Sequence, residues 1–168
     1  TVQEHRCDEV IGIGLDFDET DSPAAAYGEA YRLAKQYGLH RTAHAGREGP
    51  VKNIWDSIEL LDCERIDYGY RVLEDEALIQ QCLDRQVVFT TAPTNLSTRF
   101  NDCINPDCIR AMDDRGLKIT INSDDPSFLN TNTAHEYIAA VQSYDFNAAD
   151  IKRFMFNSID GAWLDETT

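Results

Sequence analysis

Basic residues are scarce: 15 Lys and Arg stand against 30 Asp and Glu, a formal net charge of −15 over 168 residues. That balance argues against nucleic acid as the main partner, because neutralising phosphates needs a cationic surface. No apolar run approaches the roughly 20 residues needed to span a bilayer, so no membrane segment is expected. Thr1–Val10 contains no apolar block, and no signal peptide is read there. The five cysteines, Cys7, Cys63, Cys82, Cys103 and Cys108, are odd in number and form no C-x-x-C pair. Reduced thiols in a cytoplasmic protein are expected over a disulfide framework, with a disulfide pair left open. There is no G-x-G-x-x-G, and Gly12-Ile13-Gly14 leads into an acidic segment instead of a helix, so a dinucleotide fingerprint is weak.

What is present is enough for a packed core, with 42% hydrophobic and 27% charged residues. No linker or low-complexity segment divides the chain, so residues 1–168 are read as a single unit. Strands are expected at Glu9–Leu15, Arg41–His44, Arg65–Asp67, Val87–Thr91 and Leu117–Asn122, where short β-branched stretches recur. Helical patterns lie between them. Ser22-Pro23 reads as an N-cap and first-turn proline, followed by an apolar face of Ala26, Ala30, Leu33, Ala34 and Tyr37 and a stop at Gly38. Pro50 opens a helix burying Ile54, Trp55, Ile58 and Leu61; the next carries Leu78, Ile79, Cys82 and Leu83. Pro106 begins another, with Ile109 and Met112, ending at Gly116. Ile138–Val141 and Ile151–Trp163 read as helical, with Asn147 as a cap for the last. Strands alternating with helices imply parallel pairing through right-handed crossovers. A doubly wound sheet and part of a (β/α)8 barrel both satisfy that pattern.

Polar residues gather at the carboxyl ends of these strands, the face on which barrel active sites sit. His44 follows one strand and Asp124-Asp125-Pro126 follows another. An imidazole nitrogen and a carboxylate oxygen are both metal donors. Singly, a His beside a Gly is commonly a loop residue, and Asp-Asp-Pro a helix cap. Their joint occurrence at strand ends raises the ligand-site reading to an even footing with the loop-and-cap reading.

Thr42-Ala43-His44-Ala45-Gly46, Arg65-Ile66-Asp67-Tyr68-Gly69 with Arg71-Val72-Leu73-Glu74-Asp75, and Asn122-Ser123-Asp124-Asp125-Pro126 resemble the adenosine/adenine deaminase family. Gly12-Ile13-Gly14-Leu15-Asp16 and the Arg-Ile-Asp form of the third motif are most similar to the adenine deaminase branch. The resemblance runs from about Val10 to Leu164, in family order. It implies a partial (β/α)8 TIM barrel, about strands four to eight with their helices, from the C-terminal portion of a deaminase-like barrel. It further implies zinc as cofactor, a purine base or nucleoside as ligand, and hydrolytic removal of the purine's exocyclic amine. On this resemblance His44 and Asp124 match zinc ligands, Asp124 also a catalytic base, and Gly14 and Asp125 purine-binding positions.

Departures from the family pattern carry equal weight. The histidines are His5, His40, His44 and His135, and the family's N-terminal His-x-His is absent, leaving His44 and Asp124 as an incomplete metal site. The family's proton-shuttling Glu is Arg47, which has no acceptor and stays protonated. Glu48 is adjacent, but one residue along a tight turn redirects a carboxylate by several ångströms. The family's His is Tyr68, a poor base at neutral pH with a reference pKa of about 10. Ala92-Pro93-Thr94-Asn95 stands where the family has Cys-Pro followed by a Ser/Asn pair. The expectation is a catalytically impaired relative, a pseudoenzyme binding zinc weakly or not at all. A non-catalytic purine-binding or assembly protein is the alternative, and a deaminase completed by a missing half a further one. Ile11, Ile13, Val88, Ile119 and Ile121 alternate along strands that in a full barrel meet a filled interior or the helix layer. Self-association or a complementary chain is therefore expected.

Overall fold

The computed structural model describes residues 9–16, 18–19, 24–99 and 105–164. Its strands are β1 Gly12–Leu15, β2 His40–Ala45, β3 Arg65–Tyr68, β4 Val88–Thr91 and β5 Lys118–Ile121. The helices are α1 Gly28–Gln36, α2 Val51–Glu59, α3 Glu76–Asp84, α4 Pro93–Arg99, α5 Cys108–Asp114, α6 Pro126–Leu129, α7 Thr133–Tyr144 and α8 Ala148–Asp160. Short 3-10 turns occupy Ala24–Tyr27 and Tyr70–Glu74. The Ser22-Pro23 cap lies outside the described residues.

All five strands are parallel, in the order β1-β2-β3-β4-β5. This order separates the two architectures that the sequence pattern left open. A doubly wound sheet reverses its growth at a switch point. Here each crossover adds the next strand on the same side, as in a (β/α)8 barrel. The fold is a partial barrel.

Residues paired across a parallel register share a face. Ala43, Ile66, Phe89 and Ile119 form one such row, fully buried beneath the helices. Ile13 and Ile121 join this helix-facing layer. The opposite row is mostly polar: Thr42 pairs with Arg65, His44 with Asp67, Asp67 with Thr90 and Thr90 with Thr120. The apolar set named from sequence therefore belongs mainly to the helix layer, and Val88 alone of that set pairs into the row of Arg65 and Lys118. Many of the exposed apolar side chains lie instead on elements beside the two ends of the sheet. Ile11, Tyr27, Leu33 and Tyr37 flank the β1 side, and Ile138, Val141, Met155, Phe156 and Ile159 flank the β5 side.

Helix faces follow the expected periodicity with one correction. Ile54, Ile58 and Leu61 are buried, as are Leu78, Ile79, Cys82, Ile109 and Met112, while Trp55 and Leu83 pack against the core half-buried. On α1, however, Ala34 is the only one of the five expected apolar residues to be buried; Tyr31 is buried with it. The Tyr31 hydroxyl donates to the Thr42 carbonyl at 2.7 Å, and this bond to β2 turns the tyrosine inward at the expense of Leu33 and Tyr37. Pro106 lies in a turn ahead of α5. Gly38 and Gly116 end α1 and α5 in the left-handed region, with φ of 69° and 77°.

Asn147 caps α8 as expected. Its side chain accepts from the amides of Ala149 and Asp150, and the Asp150 carboxylate accepts from the Asn147 amide, a reciprocal capping box. Replacing Asn147 with Ala is expected to lower stability by about 1 kcal/mol, read as a lower urea midpoint at unchanged m-value.

The helix stops at Asp160, three residues before the expected Trp163. A Cβ at Gly161 would lie 2.9 Å from Val88 Cγ1, so only glycine lets the chain pass this close to the sheet. The tail then crosses the open face. Trp163 stacks on His40, with ring centroids 4.7 Å apart and planes at 7°. The Arg65 guanidinium sits 3.8 Å from the Trp163 ring centroid and donates to the Gly161 carbonyl at 2.9 Å. The tail covers the amino-terminal half of the open face, leaving the carboxyl strand ends clear.

Cys63, Cys82 and Cys108 are free and buried, and burial pushes each thiol up to about 12. At pH 8 only about one in ten thousand of each is thiolate. In the native protein these three are expected to resist a disulfide-exchange reagent and to react once denaturant is added; rapid native labelling at any of them, mapped by mass spectrometry, would contradict this. Among the described residues no helix is long and apolar enough to cross a membrane.

Candidate active site at the carboxyl ends of the strands

Backbone strain marks the strand ends. Tyr68 and Asp124 adopt φ of 68° and 52°, in the left-handed region. For a bulky side chain this costs about 1–2 kcal/mol and is held only where the surroundings demand it. At Tyr68 it breaks the alternation of β3. The ring, which would otherwise enter the helix layer, turns to meet the His44 ring edge-on, with centroids 5.0 Å apart. Gly69 follows at φ 64°, where a Cβ would collide with the Phe89 ring.

These ends surround a cavity of about 450 Å³, with His44, Asp67, Tyr68, Thr90, Asn122 and Asp124 in its walls. The expected placement of His44 and Asp124 on one face is met. Asp67 sits between them on the sheet, accepting from Thr90 Oγ1 at 2.5 Å and Thr42 Oγ1 at 3.2 Å, with His44 Nε2 at 3.7 Å. His44 Nδ1 faces Asp16 Oδ1 at 2.8 Å, but not at a hydrogen-bonding angle, so this buried nitrogen makes no hydrogen bond.

Asp124 is tied down from two sides: Asn95 donates to its Oδ2, and the Tyr68 hydroxyl also bonds it. Burial raises the Asp124 pKa above the ordinary aspartate value, and neighbouring Asp125 adds to the rise; the Tyr68 bond, Arg47 and His44 oppose it. Tyr68 is raised above the usual phenol range by burial, against the pull of Arg47. The Arg47 guanidinium lies 4.4 Å from the Tyr68 ring centroid and donates to Glu48 Oε1 at 3.2 Å.

His44, Tyr68 and Asp124 thus come together, with Arg47 stacked on Tyr68. Gly14 and Asp125 stay outside the cavity walls. Gly14 is exposed on β1, where a Cβ would lie 3.1 Å from Thr42 Cγ2, and Asp125 is exposed at the head of α6. Asp67 and Asn95 stood in the strand-end motifs, but no role was read for them. Glu19 was missed altogether: its buried carboxylate accepts from the amides of Gly46, Arg47 and Glu48, yet nothing in its acidic neighbourhood distinguishes it. A period-two reading from His44 across the strand ends would have found Asp67; no local signal points to Glu19.

The described residues do not by themselves complete a zinc site. His44 offers a buried nitrogen free of hydrogen bonds, and Asp124, bonded by Asn95 and Tyr68, lines the same cavity, so the cavity brings together two donors where a catalytic zinc takes three. Among the described residues no group of three His, Cys, Asp or Glu is arranged to hold a metal ion.

A one-directional parallel sheet with polar side chains converging at its carboxyl ends defines an α/β-barrel domain with its site on the usual face. A family model described as "Adenosine deaminase" matches residues 1–168, and the chain belongs to that family. An adenine deaminase of Vibrio parahaemolyticus is 35% identical over 166 residues, covering 98% of this chain and 49% of its own length. One of Ectopseudomonas mendocina is 36% identical over 154 residues, covering 91% and 49%. Among solved structures, an adenine deaminase from Arthrobacter aurescens superposes with a TM-score of 0.90 at 30% identity, over 99% of this chain and 51% of that one. An amidohydrolase from Burkhoderia ambifaria, solved with bound Zn, gives 0.87 at 38% identity, over 99% and 47%. The chain spans about half the length of the relatives it matches.

Proposed function

We propose that this chain carries the purine-recognition side of an adenine deaminase site and, as a 168-residue chain, does not deaminate. His44 and Asp124 are the two metal-donor positions of that site, with Gly14 and Asp125 at its purine-facing rim. Arg47 and Tyr68 hold the positions where proton transfer would occur. The names of the relatives support adenine as the base.

The observation that carries the reading is the Arg47–Tyr68 stack beside Asp124. A guanidinium has no lone pair to accept a proton from water. A phenol raised by burial stays neutral at pH 7, and here it donates to the carboxylate that should act as base. Glu48 does not substitute, because its carboxylate bonds Arg47 and its amide is held by Glu19.

The test is ammonia release from adenine and from adenosine, with adenine titrated calorimetrically in parallel. The expected result is no turnover with either and saturable heat with adenine that weakens in Asp125→Ala. Protein-dependent turnover abolished by Asp124→Asn would overturn the impairment, and absence of adenine binding would overturn the recognition role.

A further inference from the structure

We propose that Glu19 is a positioning residue for this site, a carboxylate clamp that fixes the backbone of residues 46–48 and through it holds Arg47 over Tyr68. Glu19 is 7% exposed. Its Oε2 accepts from the Gly46 amide at 2.6 Å and Asn53 Nδ2 at 3.2 Å. Its Oε1 accepts from the Arg47 amide at 2.6 Å and the Glu48 amide at 2.8 Å. The Glu19 backbone carbonyl also accepts from Asn53 Nδ2, at 3.0 Å.

Successive N–H groups converging on one anion form a nest, a concavity shaped for negative charge. The left-handed φ of 74° at Gly46 provides its curvature, and a Cβ at Gly49 would stand 2.8 Å from Glu19 Oε2. Both glycines therefore serve the clamp. The Arg47 side chain leaves this fixed backbone toward Tyr68, 4.4 Å to the ring centroid. Removing the carboxylate strands three amide donors, which only a rearranged loop or a new anion can satisfy. Glutamine matches glutamate in shape but turns an NH2 toward donors, so shape alone does not preserve the clamp.

This deepens the proposed function, because the residue so positioned is the one assigned to block proton transfer; its test uses no adenine and stands if adenine fails to bind. Amide hydrogen exchange of Gly46, Arg47 and Glu48 is measured in the wild type, Glu19→Gln and Glu19→Ala. The Tyr68 ring carbon resonance, assigned with Tyr68→Phe, is followed alongside. Exchange at the three amides is expected to accelerate about tenfold or more in both variants, as local opening loses charge-assisted bonds. The Tyr68 resonance should shift as it does in Arg47→Ala, a variant whose three amides stay protected.

Formate added to Glu19→Ala should refill the nest, restoring protection and returning the Tyr68 resonance, while equal chloride should not. If Glu19→Ala folds only in formate, that dependence is the same result. Wild-type protection and an unmoved Tyr68 resonance in Glu19→Gln would overturn the proposal. So would faster exchange that formate leaves unchanged, since that is a loss of packing and not of an anion.

Discussion

Elemental analysis of the purified 168-residue chain is expected to find far less than one equivalent of tightly held zinc, and Arg47→Glu alone is expected to release no ammonia from adenine. A catalytic zinc takes three protein ligands and an open position. The described residues supply no such set, and two of its members, His44 and Asp124, stand beside a guanidinium that repels a divalent ion. With only two donors in place and Arg47 opposing a cation, zinc should wash out on dialysis against a weak chelator. Arg47→Glu removes the repulsion and restores a carboxylate but adds no donor on the uncovered side. One equivalent of zinc surviving dialysis, and lost in both His44→Ala and Asp124→Asn, would contradict this expectation.

Sedimentation of the same chain is expected to show self-association that strengthens between low and moderate salt. The cause lies at the two ends of the sheet, where, among the described residues, β1 and β5 each have a single strand partner. Parallel sheets are ordinarily covered, and open strand edges pair. Beside β5, α8 shows Met155, Phe156 and Ile159 to solvent, all more than half exposed. A charge of −15 keeps copies apart at low ionic strength, and screening weakens that repulsion as the Debye length falls to about 10 Å near 0.1 M salt. Phe156→Ser with Ile159→Ser removes apolar area without adding charge. At about 1 kcal/mol for each half-exposed side chain, association should weaken roughly thirtyfold. A monomer at every salt concentration, or association unchanged in the double variant, would place the cause elsewhere.

The elements legible in the sequence are those set by near neighbours. Strand positions agree to within three residues, Gly38 and Gly116 stop their helices, and Asn147 caps α8, because β-branched runs, left-handed glycines and capping side chains act over a few residues. The elements that escaped depend on distant groups. α4 was not read although Pro93 opens it, and its start is also held from afar: the Thr94 amide donates at 2.9 Å to Glu136, fully buried on α7 and 42 residues away. The site divides in the same way. His44, Tyr68 and Asp124 were legible from their motifs at strand ends, whereas Glu19 reaches amides 27 to 29 residues along the chain. The polarity of the open face went unread because the alternation assigned faces only relative to one another. Which face the helices cover is settled by the crossovers.

Trp163 sets an order of events. Each strand pairs with its immediate successor, so the sheet grows by joining segments close in sequence, at modest loop-closure cost. The tail is different: the bond from Arg65 to Gly161 joins residues 96 apart, and the Trp163–His40 stack spans still more chain. These contacts draw on β2, β3 and β4 together, so they are expected to form after the sheet and to be lost early on unfolding. The chain has two tryptophans, and they keep separate time. Trp55, bonded to Asp75 from α2, reports the assembly of neighbouring βα units, whereas Trp163 reports only the final sealing of the open face. Refolding followed through Trp163 alone is expected to lag behind refolding followed through Trp55.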